Sequence, residues 1–124
     1  MGRSLYGHVL IIEDEIVIAL DIESSLGALG FRSFDIADSP GRALASAISH
    51  PPDLITADIR IRGGTGIDAV RAIKAELGDI PVVYVTGNVD MLRDEDPQAI
   101  VEKPINAERL ATTCLRLCPL PRLD

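Results

Sequence analysis

The 124-residue chain has no tryptophan, two tyrosines and two phenylalanines, so aromatics make up only 3% of it. Its core must therefore be aliphatic, drawn from Ile, Val, Leu and Ala within a hydrophobic content of 47%. No apolar stretch approaches the roughly 20 residues of a membrane-spanning helix. The start, Met1-Gly2-Arg3-Ser4-Leu5, has no long apolar segment of the signal-peptide kind. Met1-Gly2 opens like a myristoylation signal, but position 6 is Tyr6 rather than Ser or Thr. There is no basic excess either. Twelve Lys and Arg stand against 19 Asp and Glu, for a net charge of −7. That balance argues against nucleic acid or an anionic membrane as a direct partner. The two cysteines, Cys114 and Cys118, are four apart. On a helix they share one face, without a nearby histidine, which points to packing rather than metal or redox chemistry. The cytoplasm is the expected compartment.

What is present is an alternation. Short apolar runs alternate with segments of helical period, without internal repeats, low-complexity tracts or linkers, and the length suits one domain. This argues for an α/β sheet with helices on both faces. Strands are expected over residues 8–13, 31–36, 53–57, 82–85 and 99–102. Helices should fill the gaps. The first carries Ile18, Ile22, Leu26 and Leu29 on one face and stops at Gly30. The second starts from Ser39 as N-cap with Pro40 at the first helical position, and carries Ala43, Leu44, Ala47 and Ile48. The third has Val70, Ile73 and Leu77 inward, after a loop over residues 60–66 that holds three glycines. The last is capped by Asn106 and carries Ala107, Leu110, Ala111, Cys114, Leu117 and Cys118. Between the last two strands lie only 12 residues, 87–98, with Gly, Pro and four carboxylates. A parallel crossover needs about a dozen residues, so any helix there can be only a turn or two, near residues 90–93.

In a parallel sheet the carboxyl ends of all strands open on one edge, where ligands bind. Here that edge would gather Glu13-Asp14-Glu15, Asp58, Thr86-Gly87 and Lys103-Pro104. Clustered carboxylates repel, and a hard cation such as Mg²⁺ relieves them. The same acids can instead serve the positive end of the first helix, and Glu15 can do only that. Asp58 closes an otherwise apolar strand, either as a solvated strand end or as a nucleophile, since carboxylates do accept phosphoryl groups. Thr86 can be an ordinary strand residue or donate its hydroxyl to a phosphate oxygen, and Gly87 permits close backbone approach. Lys103 can be a surface lysine or can pair with Asp58 or a phosphoryl oxygen. Lys103-Pro104 is a candidate cis peptide.

Taken together, the motifs Ile11-Ile12-Glu13-Asp14-Glu15, Asp53-Leu54-Ile55-Thr56-Ala57-Asp58, Val83-Tyr84-Val85-Thr86-Gly87 and Glu102-Lys103-Pro104 resemble a response regulator receiver domain of two-component signalling. The resemblance covers about residues 7–118 of a single domain, residues 1–124. It implies a flavodoxin-like (βα)5 fold, a five-stranded parallel sheet in the order 2-1-3-4-5. It implies Asp58 as phosphoacceptor, Glu13 and Asp14 as the acidic pair for Mg²⁺, and the main-chain carbonyl of Arg60 as a further ligand. Thr86 matches the switch hydroxyl and Lys103 the lysine that bridges to the phosphoryl group. Arg60 and Asn88 flank the acceptor and should tune attack by water.

Four departures from the family pattern stand out. Glu13 replaces the usual Asp, and its longer arm can reach the metal directly or through water. The loop Ile61-Arg62-Gly63-Gly64-Thr65-Gly66 lacks the usual Met-Pro and is expected to be looser. Ile100 stands three residues before Lys103 where most members have an aromatic. The fourth helix is shortened. The last two features, with Thr86-Gly87, resemble the stand-alone receivers nicknamed FAT GUY, although Asn88 replaces the final aromatic of their motif. The resemblance implies phosphorylation by a sensor histidine kinase or phosphotransfer protein. Output would run through protein–protein interaction or phosphate sinking, with residues 88–98, the last strand and the last helix as output surface. No further domain is expected after Asp124. The apolar end, Leu117, Leu120 and Leu123, leaves homodimerisation open. Two rivals stand beside this reading. One is a phosphorylation-independent docking module. The other is a phosphohydrolase, which wants a second acid where Arg60 stands.

Overall fold

The structure, a computed structural model, describes residues 7–92 and 99–118. Five strands form one parallel sheet: β1 (His8–Ile12), β2 (Ser33–Ala37), β3 (Leu54–Ala57) and, after an intervening hairpin of β4 (Arg60–Ile61) and β5 (Gly64–Thr65), β6 (Val82–Thr86) and β7 (Ile100–Glu102). The order is β2-β1-β3-β6-β7, the flavodoxin-like arrangement expected from the motifs. Helices α1 (Ile16–Leu29), α2 (Pro40–Ser49), α3 (Gly66–Leu77) and α4 (Ala107–Leu117) cover both faces.

Each inner strand is buried along its whole length, because strand side chains alternate between two covered faces. Val9 and Ile11 join Ala19, Ile22, Leu26, Leu54, Val83, Val85, Leu110 and Cys114 in one core. Leu10 and Ile12 join Ala43, Ala47, Ile55, Ala57, Val70 and Ile73 in the other. With almost no aromatics, close packing rests on branched aliphatics filling both layers.

The capping chemistry read from the sequence holds. Ser39 accepts from the Arg42 amide at 3.3 Å with Pro40 at the helix start, and Asn106 Oδ1 accepts from the Arg109 amide at 3.0 Å. Gly30 closes α1 at φ 117°, the left-handed conformation that favours glycine.

Several boundaries and faces differ from expectation. β2 begins at Ser33 rather than at residue 31. The Phe31 amide bonds the Leu26 carbonyl, so Phe31 belongs to the cap of α1 and tucks its ring beneath it. On α1 the buried stripe is Ala19, Ile22 and Leu26, while Ile18 and Leu29 are half-buried and Ile16, Val17 and Leu20 are exposed. The helix is apolar almost all round at its start, so periodicity alone does not fix its inner face. Ile48 on α2 and Ala107 on α4 are exposed, and Thr113 joins Leu110 and Cys114 inside.

The loop after Asp58 is not loose. Arg60 pairs Thr65 and Ile61 pairs Gly64 in an antiparallel hairpin. Its turn is Arg62-Gly63, with Gly63 at φ 79°. The Arg62 amide ties this hairpin to the Asp38 carbonyl at 3.2 Å. Between the last two sheet strands, Val89–Leu92 forms a single 3-10 turn in place of a helix. Residues 93–98 of the expected output surface, and Leu120 and Leu123 of the apolar end, lie outside the described residues.

Candidate functional site

The parallel ladder brings the strand ends together. Asp58 follows β3, and its amide bonds the Ile12 carbonyl at 2.9 Å, which sets it beside the end of β1. The Glu13 amide bonds the Ala37 carbonyl at 2.9 Å. Thr86 pairs with Glu102, and the Lys103 amide bonds the Thr86 carbonyl at 3.0 Å. Glu13, Asp58, Thr86 and Lys103 thus share one edge by backbone register alone.

Their side chains then meet. Lys103 Nζ donates to Asp58 Oδ2 at 2.8 Å and to Glu13 Oε1 at 2.9 Å. Asp58 Oδ1 accepts from the Ile59 amide at 2.7 Å. Glu13 Oε2 accepts from the Glu15 amide at 3.2 Å. Glu15 occupies the N-cap position of α1, but its side chain makes no capping hydrogen bond. The Glu13 carboxylate instead accepts from the amide of this N-cap residue, just ahead of the helix. Lys103–Pro104 is cis.

Glu13 is 2% exposed and Asp58 7%, so both carboxylates depend on the ammonium for compensation. Burial pushes the Glu13 carboxyl up, against the hydrogen bonds from Lys103 and the Glu15 amide. Burial also opposes the charge on Lys103, but its bonds to Asp58 and Glu13 outweigh that and raise its pKa.

Oxygens of Glu13, Asp14 and Asp58 lie within 4.8 Å of one another. Three carboxylates against one ammonium leave a net negative pocket, which fits a hard divalent cation. Both Glu13 oxygens already accept one hydrogen bond each, whereas the half-buried Asp14 carboxylate has no hydrogen-bond or ionic partner among the described residues. Two clefts open beside these groups. One, of about 260 Å³, is lined by Glu13, Asp14, Asp38 and Arg42 among others. The other, of about 320 Å³, is lined by Arg60, Gly87, Asn88, Met91 and Glu102 among others. Arg60 and Asn88 both line the second cleft, whose lining does not include Asp58. Thr86 is fully buried, and its Oγ1 accepts from the Asn88 amide at 3.0 Å.

Two residues were not anticipated. Asp38 follows β2 and reaches the same edge. Its Oδ1 is buried, accepts no hydrogen bond and lies 3.6 Å from an Arg42 guanidinium nitrogen. Its position directly after β2 was the available signal. Gly66 is the second. A Cβ there would meet the Asp58 carbonyl oxygen at 1.8 Å, whereas one at Gly87 would meet nothing within 4 Å. The close backbone approach expected at Gly87 is at Gly66, on the far side of the acceptor.

A family model described as the response regulator receiver domain matches residues 9–114. The chain belongs to this family. Among curated proteins this receiver is similar to the phyllosphere-induced regulator PhyR of Methylorubrum extorquens, 35% identical over 109 residues, 84% of the chain and 40% of that protein. It is also similar to the regulatory protein LuxO of Vibrio vulnificus, 32% identical over 107 residues, 82% of the chain and 23% of that protein. The chain thus spans less than half the length of these relatives. Among solved structures it superposes on the PhyR receiver domain of Erythrobacter litoralis with a TM-score of 0.83 and 30% identity, covering 95% of this chain and 96% of that one. PhyR from Brucella abortus gives a TM-score of 0.82 with 33% identity, over 94% and 49% of the two chains. Receivers act in two-component signalling. No helix among the described residues is long and apolar enough to cross a membrane.

Proposed function

We propose that this receiver is a phosphorylation-dependent switch that accepts a phosphoryl group on Asp58 from a histidine kinase or phosphotransfer protein. The observation that carries this reading is the single ammonium of Lys103 held against both Asp58 and Glu13 at the carboxyl edge of the sheet. An Asp58 carboxylate oxygen attacks the phosphorus of a phosphohistidine. The O–P bond forms, the P–N bond breaks, and the imidazole leaves.

Little covalent chemistry is asked of the protein, so positioning and charge neutralisation dominate. Lys103 transfers its contact from the Asp58 carboxylate to a phosphoryl oxygen. The Thr86 hydroxyl, whose oxygen already accepts from Asn88, keeps its proton free to donate to another. A bound Mg²⁺ would neutralise charge shared by the acids and the phosphoryl group. Glu13, Asp14, Asp58 and the main-chain carbonyl of Arg60 would hold it, Glu13 directly or through water, since each Glu13 and Asp58 oxygen that accepts one hydrogen bond keeps a second lone pair. The product adds about −1.5 to −2 charge beside these acids. It changes which partner is bound, through the Val89–Leu92 turn and the face formed by β7 and α4, or it drains phosphate from a shared kinase. The likeness to PhyR, called an anti-anti-sigma factor in Bartonella quintana, favours a protein partner for the output. Chemistry beyond gain and loss of the phosphoryl group is not expected.

The test is incubation with Mg²⁺ and a small acyl phosphate, followed by intact-protein mass measurement. A gain of one phosphoryl group is expected, absent in Asp58→Asn and suppressed by a chelator. No gain in the unaltered protein overturns the switch in favour of a docking module. Sustained phosphate release over many turnovers points to a hydrolase.

A further inference from the structure

The opposite edge of the sheet carries a second cluster. His8 opens β1, Asp35 lies in β2, and His50 ends α2 as its C-cap. His8 Nε2 is 3.0 Å and His50 Nδ1 3.6 Å from the same atom, Asp35 Oδ2. Among the described residues this trio and the Glu13–Asp14–Asp58 group are the two that bring three such ligand atoms within 4.8 Å. His8 and Glu13 stand at opposite ends of β1, so the clusters are about 16 Å apart at 3.3 Å per residue.

We infer that His8, Asp35 and His50 form a binding site for a divalent transition metal of the zinc class, separate from the acidic pocket. Two imidazoles and one carboxylate are a ligand set that such ions prefer and that Mg²⁺ does not. Ligands about 2.0–2.1 Å from a tetrahedral Zn²⁺ lie about 3.3 Å from each other, and the two distances to Asp35 Oδ2, 3.0 and 3.6 Å, bracket that value.

The supporting shell is present as well. His8 Nδ1 is 2.7 Å from Ser33 Oγ, and Ser46 Oγ donates to Asp35 Oδ2 at 3.1 Å. Such outer contacts fix a ligating ring and its carboxylate. The site is rigid on one side and adjustable on the other. The His8 side chain is 4% exposed, Asp35 36% and His50 54%. The two rings now stack at 3.5 Å with 17° between planes. Ligation in the plane of both rings requires His50 to open away from His8, which an exposed residue at a helix end can do. The fourth position faces solvent, for water or a partner's side chain. A bound ion would clip the end of α2 to β1 and β2.

The test is calorimetric titration of the untagged protein with Zn²⁺ in excess Mg²⁺, with Co²⁺ as a spectroscopic probe. One saturable site is expected, with the intense visible absorption of four-coordinate Co²⁺. His50→Gln, which alters an exposed side chain, should weaken it about tenfold or more, and Asp35→Asn likewise. Asp58→Asn should bind as the unaltered protein does. No saturable binding, or binding unchanged by His50→Gln, overturns the assignment. So does binding lost in Asp58→Asn but kept in His50→Gln, which would place the ion in the acidic pocket.

Discussion

Adding one methyl group at Gly66 should damage this protein, while the same change at Gly41 should help it. A Cβ at Gly66 falls 1.8 Å from the Asp58 carbonyl oxygen and 2.9 Å from its carbonyl carbon. Both are main-chain atoms, so no rotamer change relieves the overlap. Either the start of α3 or the Asp58–Ile59 backbone must retreat by more than about 1 Å. The 2.7 Å bond from the Gly66 amide to the Ile59 carbonyl breaks in the process. Overpacking costs about 1–3 kcal/mol and a lost hydrogen bond about 0.5–1.5, so Gly66→Ala should cost about 2–4 kcal/mol. For a domain of this length that is about 10 °C in melting temperature. At Gly41, within α2, a Cβ meets nothing within 4 Å, and Ala in a helix gains about 0.5–1 kcal/mol over Gly. At Gly87 the same space is open.

Urea unfolding followed by far-ultraviolet circular dichroism measures all three, since without tryptophan the fluorescence signal is weak. The reasoning fails if Gly66→Ala unfolds at the midpoint of Gly87→Ala. A second readout concerns the site. Displacing Asp58 by about 1 Å can cost 100-fold in a positioned reaction, so phosphoryl uptake by Gly66→Ala should slow far more than its folded fraction explains.

Lys103→Met leaves Glu13 and Asp58 without their shared cation and should cost about 2 kcal/mol at pH 8. Glu13 is raised in the folded state, chiefly by burial. The folded form then holds the proton more tightly than the unfolded one, so protonation favours folding as pH falls through the folded value. The gap between variant and unaltered protein should narrow at pH 5 in urea titrations, and a constant gap refutes the account. Thr56→Val replaces a buried hydroxyl that has no hydrogen-bond partner and should stabilise by about 1 kcal/mol, read from the same midpoints. Thr86→Val removes the acceptor of the Asn88 amide, so hydrogen exchange at that amide should speed up by about 3–10-fold. Unchanged exchange would separate Thr86 from the Val89–Leu92 turn. The Cys114 thiol is pushed up to about 12, mainly by burial. A thiol reagent at pH 8 should therefore modify one cysteine of the native protein, Cys118, and both in urea.

How legible all this was in the sequence follows from where the information sits. The sheet and the acidic, hydroxyl and lysine strand ends were readable because fully buried parallel strands are continuous apolar runs, and each run stops where the edge begins. Ser39 and Asn106 were readable because capping is local chemistry. The hairpin after Asp58 was not. Its two-residue strands are too short for any period, and its glycines fit a loose loop equally well. The inner face of α1 was only partly readable, since Ile16, Val17, Ile18 and Leu20 offer several apolar stripes and the sheet selects one. The His8–Asp35–His50 cluster was invisible. Its members are up to 42 positions apart and meet only through the pairing of His8 with Ser33 and the length of α2.

The departures from the family pattern bear on how the pocket would communicate. Ile100 packs against the Tyr84 side of the core, paired with Tyr84 in register. An aromatic that swings in to follow Thr86 has no counterpart at that position. The contact that leaves the pocket from Thr86 is its bond from the Asn88 amide. A β-branched side chain cannot turn about χ1 without moving both its oxygen and its methyl group. If the phosphoryl group pulls the Thr86 hydroxyl toward Asp58, the Asn88 amide must follow it or lose its acceptor. Either way the perturbation arrives at the first residues of the 3-10 turn, whose Met91 amide bonds the Asn88 carbonyl at 3.1 Å. Among the described residues the turn is anchored to the core by Leu92, which is 3% exposed. In the proposed switch, the single turn at Val89–Leu92 and the absence of an aromatic at Ile100 would work together, with the Asn88 amide as the link to Thr86.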